Sequence, residues 1–159
     1  MFRWKGALRR GLMTAAVAAV VAAAVGGVSL ARAGSSGDRT LRVREVQTGS
    51  VFVNVTHSQH GAPGDEFIFH AKLRKAGTTV GSLDAVCTLM LHHRLQCAGT
   101  AHLQGGTLAL DAGITEAQSN STARIAITGG TGRYDHAHGE LISTSTGENT
   151  ARDVFDIDL

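Results

Sequence analysis

The chain has 159 residues, with 15 Lys and Arg against 13 Asp and Glu, and its formal charge is +2. Five of the basic residues lie within the first 33 positions, so the 126 residues that follow carry a charge of −3. A mildly acidic domain of this kind has no basic stripe for a phosphate backbone, which excludes nucleic-acid binding.

The first 33 residues have the three parts of a secretion signal. Four basic side chains precede an apolar run from Leu12 to Leu30, and the small residues of Ala31-Arg32-Ala33 follow directly. This order predicts cleavage after Ala33 and export, and the alanine-rich run is typical of bacterial signals. An uncleaved membrane anchor is the alternative, because nineteen residues nearly span a bilayer. After cleavage we expect no membrane association.

The exported part is predicted to be a flexible leader, residues 34–39, and one all-β domain, residues 40–159. Apolar side chains recur at every second position in about eight short runs, with turn residues between them and no helical period. The runs are Leu41–Thr56, Asp65–Lys75, Val80–Met90, Leu95–Leu103, Thr107–Ile114, Thr122–Thr128, Gly139–Thr146 and Asp153–Leu159. This pattern predicts a single eight-stranded antiparallel barrel, whose interior is wide enough for side chains or one small ligand, as in lipocalins.

The inner wall of that barrel is predicted from the two clearest alternating runs. One face of each run carries only apolar or small residues: Phe67, Phe69, Ala71, Leu73, Leu83, Ala85, Cys87 and Leu89. Small residues among large ones either taper the packing or leave room for a ligand. A cavity wall and a solid core are both compatible with the sequence.

Two cysteines, Cys87 and Cys97, remain after the signal is removed. An even number of cysteines in an exported chain predicts a disulfide, which would close a short loop and contribute roughly 2–3 kcal/mol.

The segment ITGGTGRYDHAHGE, Ile127 to Glu140, lacks the spacing of a dinucleotide fingerprint and the lysine of a phosphate loop. Its glycines instead predict a tight reversal between two strands. The segment resembles the turn shared by allene oxide cyclases and dirigent proteins, and the order of strands from Gly64 to Ile142 resembles that family too. The matching turn residues include Gly129, Gly130, Gly132, Tyr134 and Gly139.

This resemblance implies an eight-stranded barrel with an apolar cavity, whose characterised members guide cyclisation or radical coupling of hydrophobic molecules without a cofactor. By order along the chain, Cys87 corresponds to a cavity-facing cysteine of the plant cyclases, so the resemblance implies that Cys87 is the candidate for a reactive thiol if the disulfide does not form. Ala71 stands where those cyclases have an inward asparagine, Asn120 lies near the place of their tyrosine, and Glu45 is the nearest candidate for their glutamate.

Histidine pairs raise the question of a metal site. The pairs are His57 with His60, His92 with His93, and His136 with His138. A metal needs three or four convergent ligands, and the pairs fall at strand ends, so we expect solvated histidines and no metal.

Three functions remain open. The first is a secreted barrel that binds a small hydrophobic molecule and orients it stereochemically, without a cofactor. The second is a cofactor-free cyclase or isomerase, and the third is a non-catalytic interaction protein with a filled barrel.

Overall fold

The computed structural model describes residues 37–59 and 61–159, which form a closed antiparallel barrel of eight strands. The strands follow one another around the barrel in chain order, and the last pairs with the first. They are β1 Arg39–Val53, β2 Glu66–Lys75, β3 Thr78–Met90, β4 Arg94–Leu103, β5 Gly106–Thr115, β6 Thr122–Gly130, β7 His138–Gly147 and β8 Thr150–Asp158. The predicted fold class is therefore confirmed. The predicted signal lies outside the described residues.

The two-residue alternation of the sequence sets the orientation of each strand. On β5, Leu108, Leu110, Ala112 and Ile114 are buried, whereas the residues between them face outward and are exposed. Strand β1 is interrupted near Gly49, where the register against β2 shifts between Gln47 and Gly49. Such a bulge bends a strand and helps a sheet to curve into a barrel.

We call the two ends of the barrel upper and lower. The upper end carries the connections 54–65, 91–93, 116–121 and 148–149, and the lower end carries 76–77, 104–105 and 131–137. The lower half of the interior is filled by a cluster of buried side chains. Its members include Val43, Ala71, Leu73, Leu108, Ile127, Tyr134, Phe155 and Ile157.

The glycine segment connects β6 to β7 at the lower end, as the sequence predicts. Gly132–Tyr134 forms one 3-10 turn, and strand β7 begins four residues later. Gly132 has a φ of 64°, and a Cβ on Gly130 would collide with the carbonyl oxygen of Tyr134. The glycines thus allow the chain to reverse tightly while the Tyr134 ring is buried beneath it.

Two upper connections were not predicted in detail. A short helix, α1 Glu116–Ser119, follows β5, and Thr115 and Gln118 form a capping box at its start. In the connection 54–65, the buried Asp65 carboxylate accepts hydrogen bonds from the backbone N–H groups of Thr56 and Ala62, both at 2.8 Å. Among the described residues, no helix is both long and apolar enough to cross a bilayer.

Candidate ligand cavity

The upper half of the barrel contains a cavity of about 410 Å³. It opens between the β5–β6 connection, which contributes Gln118 and Ser119 of α1 and the following Asn120, and the β7–β8 hairpin, which contributes Gly147, Glu148 and Asn149. Leu83, Leu110 and Leu141 border it and also belong to the packed cluster below, so they form its floor. A second and smaller buried cluster, Ala112, Ile114 and Ala123, lies along its side.

The predicted wall residues divide into three groups. Phe67, Phe69, Leu83, Ala85 and Cys87 border the cavity. Ala71 and Leu73 do not, because they lie lower on β2, where they are completely buried in the packed cluster. Leu89 does not border it either and lies beside Gly61 of the connection 54–65. Alternation marks the inward face of a strand, but it does not show the height in the barrel at which the inward side chains stop packing against one another.

Cys87 and Cys97 form a disulfide, with an S–S distance of 2.01 Å. They lie directly opposite each other on β3 and β4, and both border the cavity. In this form Cys87 has no thiol, so its role as a candidate nucleophile is excluded. The bond instead links two neighbouring strands of the barrel at the height of the cavity, where inward side chains leave open space.

An acidic pair lies on the opposite side of the barrel. Glu45 on β1 borders the cavity, and Asp153 on β8 lies next to it, on the inward row of Phe155 and Ile157. Asp153 is completely buried, and neither of its carboxylate oxygens makes a regular hydrogen bond within the described part of the chain. The Ser143 hydroxyl on β7 is the other polar group near it.

Burial changes the proton affinity of both carboxyls. It raises the pKa of Glu45 to about 8, and repulsion from Asp153 adds to the effect. Burial also raises the pKa of Asp153, although the neighbouring Ser143 hydroxyl partly opposes this. Two adjacent carboxyls cannot both ionise readily in such a site, so the pair holds a proton near neutral pH. Such a pair can both donate and accept a proton.

Sequence reasoning found only half of this pair. Glu45 was noted through the family resemblance, whereas Asp153 was missed. A signal for it did exist, because Asp153 is in phase with Phe155 and Ile157 on the buried face of β8, while Asp156 is out of phase. An acid on the apolar face of an alternating strand is the pattern that identifies a polar group inside a barrel.

The described histidines are all exposed and contribute nothing to the cavity. The His136 Nε2 atom is 3.4 Å from Asp135 Oδ2, and the His138 Nε2 atom is 3.7 Å from Asp158 Oδ2. The connections between strands contain His57, His92 and His93. His60 is outside the described residues. Within residues 37–59 and 61–159, no three His, Cys, Asp or Glu side chains are arranged to hold a metal ion.

No protein-family model matches the sequence, and no curated protein does either. Solved structures do share the barrel. Pyocyanin demethylase superposes with a TM-score of 0.66 at 21% identity, over 74% of this chain and 98% of the demethylase. A pterocarpan synthase dirigent protein superposes with a TM-score of 0.59 at 20% identity, over 77% of this chain and 88% of that protein.

The Diels–Alderase AbmU from Streptomyces koyangensis has a TM-score of 0.59 at 17% identity, over 74% of this chain. The chain spans 64% of that enzyme's length. At these identities the similarity establishes the fold alone. It confirms that this chain has the dirigent-like barrel which the glycine turn indicated.

Proposed function

We propose that this protein is an exported barrel that binds a small hydrophobic molecule in its upper cavity and orients it beside Glu45. The observation that carries the proposal is the half-empty interior: a cavity of about 410 Å³ with mostly apolar walls, a polar rim and one inward carboxyl. Binding pockets for small molecules usually measure roughly 300–1,000 Å³ and have this composition. A barrel filled by its own side chains would have no such space.

Export is part of the proposal. The signal-like segment before Gly34 supports it, and so does the disulfide between Cys87 and Cys97, because disulfides persist in oxidising compartments outside the cytosol. Protein recovered from the culture medium is expected to have the mass of residues 34–159 less two hydrogens. An intact chain that stays in the membrane fraction would contradict export.

Cofactor-free isomerisation or cyclisation is the second candidate, and the position of Glu45 favours it. A carboxyl with a pKa near the working pH is suited to general acid–base catalysis. Glu45 would take a proton from one atom of the bound molecule and return it to another, so the reaction needs no external reagent. The Diels–Alderase AbmU shares the barrel fold, which supports ring formation, though not the proton transfer itself, as a reaction that such a barrel can accommodate.

Native mass spectrometry of protein purified from its own culture medium tests the binding proposal. The wild type is expected to carry a small hydrophobic molecule, and Ala112→Phe is expected to lose it, because Ala112 borders the cavity. Ala109→Phe is the matched control, since Ala109 lies on the same strand and faces outward. Empty wild-type spectra, or equal occupancy in Ala112→Phe, would contradict the proposal.

A further inference from the structure

The ionisable groups around the cavity are all carboxyl groups. Glu45 borders it inside and Glu148 lies at its mouth, while Asp153 lies next to Glu45, nearer the lower end of the barrel and outside the lining. Among the described residues that line the cavity, none is Lys, Arg or His. The remaining polar lining consists of uncharged amides and hydroxyls, such as Gln47, Ser143 and Asn149. A bound anion would therefore find no opposite charge there.

The inner part of this acidic site has only the Glu45 carboxyl and the Ser143 hydroxyl beside it, and neither of these is a cation. Asp153 is completely buried, and neither carboxylate oxygen has a hydrogen-bond donor of regular geometry within the described residues. A buried carboxyl without a donor or a cation is unfavourable, and a charged partner brought to the pair would offset that cost. Because Glu45 separates Asp153 from the cavity, a ligand would meet the pair through the Glu45 carboxyl.

The rest of the cavity wall, beginning on β2 next to the strand of Glu45, suits the apolar part of a ligand. Phe67 and Phe69 both border the cavity, with their ring centroids 5.8 Å apart. Leu95, Ala112 and Ile125 continue this surface on β4, β5 and β6. The cavity thus has an apolar side and an acidic side, which together define an amphipathic occupant.

We infer that the ligand of the cavity is a lipophilic cation, a hydrocarbon or aromatic body with one protonated nitrogen, whose charged end pairs with Glu45. This inference rests on the proposed binding function and specifies the chemical class of the ligand. Carboxylic acids of the same size are disfavoured, because the pair of Glu45 and Asp153 keeps one negative charge while it shares a single proton, and Glu148 adds another at the mouth. Neutral molecules gain the apolar contacts alone.

Calorimetric titration with matched probes at one fixed pH near 7 tests the class. Two skeletons are used, each with three end groups: octylamine, octanol and octanoate, and naphthylmethylamine, naphthylmethanol and naphthoate. For at least one skeleton, the amine is expected to bind at least ten-fold more tightly than the alcohol, and the carboxylate more weakly than the alcohol. An alcohol or carboxylate that binds as tightly as its amine would overturn the inference and leave the binding function intact. Failure of all six probes to bind would count against the binding function itself.

Amino-acid substitutions test whether the preference for the amine over the alcohol depends on the Glu45 carboxyl. Glu45→Gln is expected to reduce the amine's advantage over the alcohol to within about three-fold, with little change in the alcohol's own affinity, because the apolar contacts remain. Asp153→Asn is expected to weaken amine binding in the same direction, and if it does not fold, Glu45→Gln still decides the question. Asp156→Asn is the matched control, since Asp156 lies on the same strand and faces outward, accepting a hydrogen bond from Thr40 at 2.8 Å. An unchanged amine preference in Glu45→Gln would overturn the inference.

Discussion

In the lower half of the barrel, the side chains of Leu73, Leu108 and Phe155 are completely buried and belong to one packed cluster. In the upper half, Phe67 and Phe69 occur on the same inward row of β2 but border open space. The same alternating pattern therefore produces a packed core at one end and a cavity at the other. Stability comes mainly from the lower half, which leaves the upper half available for binding.

Truncation of a phenylalanine in each half should separate the two regions most strongly. Phe155→Ala is expected to lower the free energy of unfolding by about 3–5 kcal/mol, because it opens a hole in a packed interior. Phe67→Ala, which only enlarges an existing cavity, should cost roughly 1–2 kcal/mol. Urea unfolding of both variants measures this difference. Equal losses would show that the upper half is packed as tightly as the lower.

Loss of the disulfide should have the next largest effect. Replacing both Cys87 and Cys97 by alanine removes a cross-link between residues ten apart, and the expected loss is roughly 2–3 kcal/mol. In the upper half this covalent bond compensates for missing side-chain packing. Thermal unfolding of the double variant and of reduced wild-type protein provides the measurement. A change below about 0.5 kcal/mol would mean that the cavity walls hold together without it.

The acidic pair should make stability depend on pH. The folded state binds a proton at Glu45 more tightly than the unfolded chain does, because burial raises the pKa from 4.5 to about 8. Stability is therefore expected to fall as pH rises between these values, on the order of 1–2 kcal/mol from pH 6 to pH 7.5. Glu45→Gln should flatten this slope.

Denaturant titrations at several pH values test the dependence. Asp65 provides an internal comparison, because a hydrogen bond from the Thr56 backbone lowers the pKa of its carboxyl. Its contribution to the free energy of unfolding therefore changes with pH only below about pH 4. The stability contributed by Asp65 is lost as pH falls, whereas the stability contributed by Glu45 is lost as pH rises. A wild-type slope near neutral pH that survives in Glu45→Gln would contradict the assignment of the acidic pair.

The smallest effect is expected on the outer face of the barrel. His70 and Asp84 form an exposed pair, 2.7 Å apart, across β2 and β3. His70→Ala should change the free energy of unfolding by about 0.5 kcal/mol or less, because solvent screens such pairs. Urea unfolding at neutral pH measures it. A loss above about 1 kcal/mol would show that surface pairs, and not the interior, distinguish the regions of this barrel.

Most of the fold could be predicted from the sequence, whereas only part of the site could. Alternation on strands such as β5 determines which residues face inward, and the glycines at 130 and 132 mark the lower reversal. Neither signal tells where inward side chains stop meeting across the barrel, so Ala71 and Leu73 were assigned to the cavity wall. That height depends on the sizes of side chains on strands distant in sequence.

The acidic pair is a second case in which contacts between distant strands could not be predicted from the sequence. Glu45 and Asp153 are more than one hundred positions apart and become neighbours only because β8 pairs with β1. The inward phase of Asp153 could be read from β8 alone, but its proximity to Glu45 required closure of the barrel. Helix α1 was also readable in principle, since Thr115 and Gln118 have the spacing of a capping box.

A crystal of residues 34–159 under xenon pressure tests the central claim most directly, because xenon occupies apolar cavities of this kind. The account predicts a xenon site in the upper half, in contact with Leu110, Ala112 and Ile125, which is lost in Ala112→Phe and kept in Ala109→Phe. An upper half in which these side chains meet and no xenon binds would contradict it.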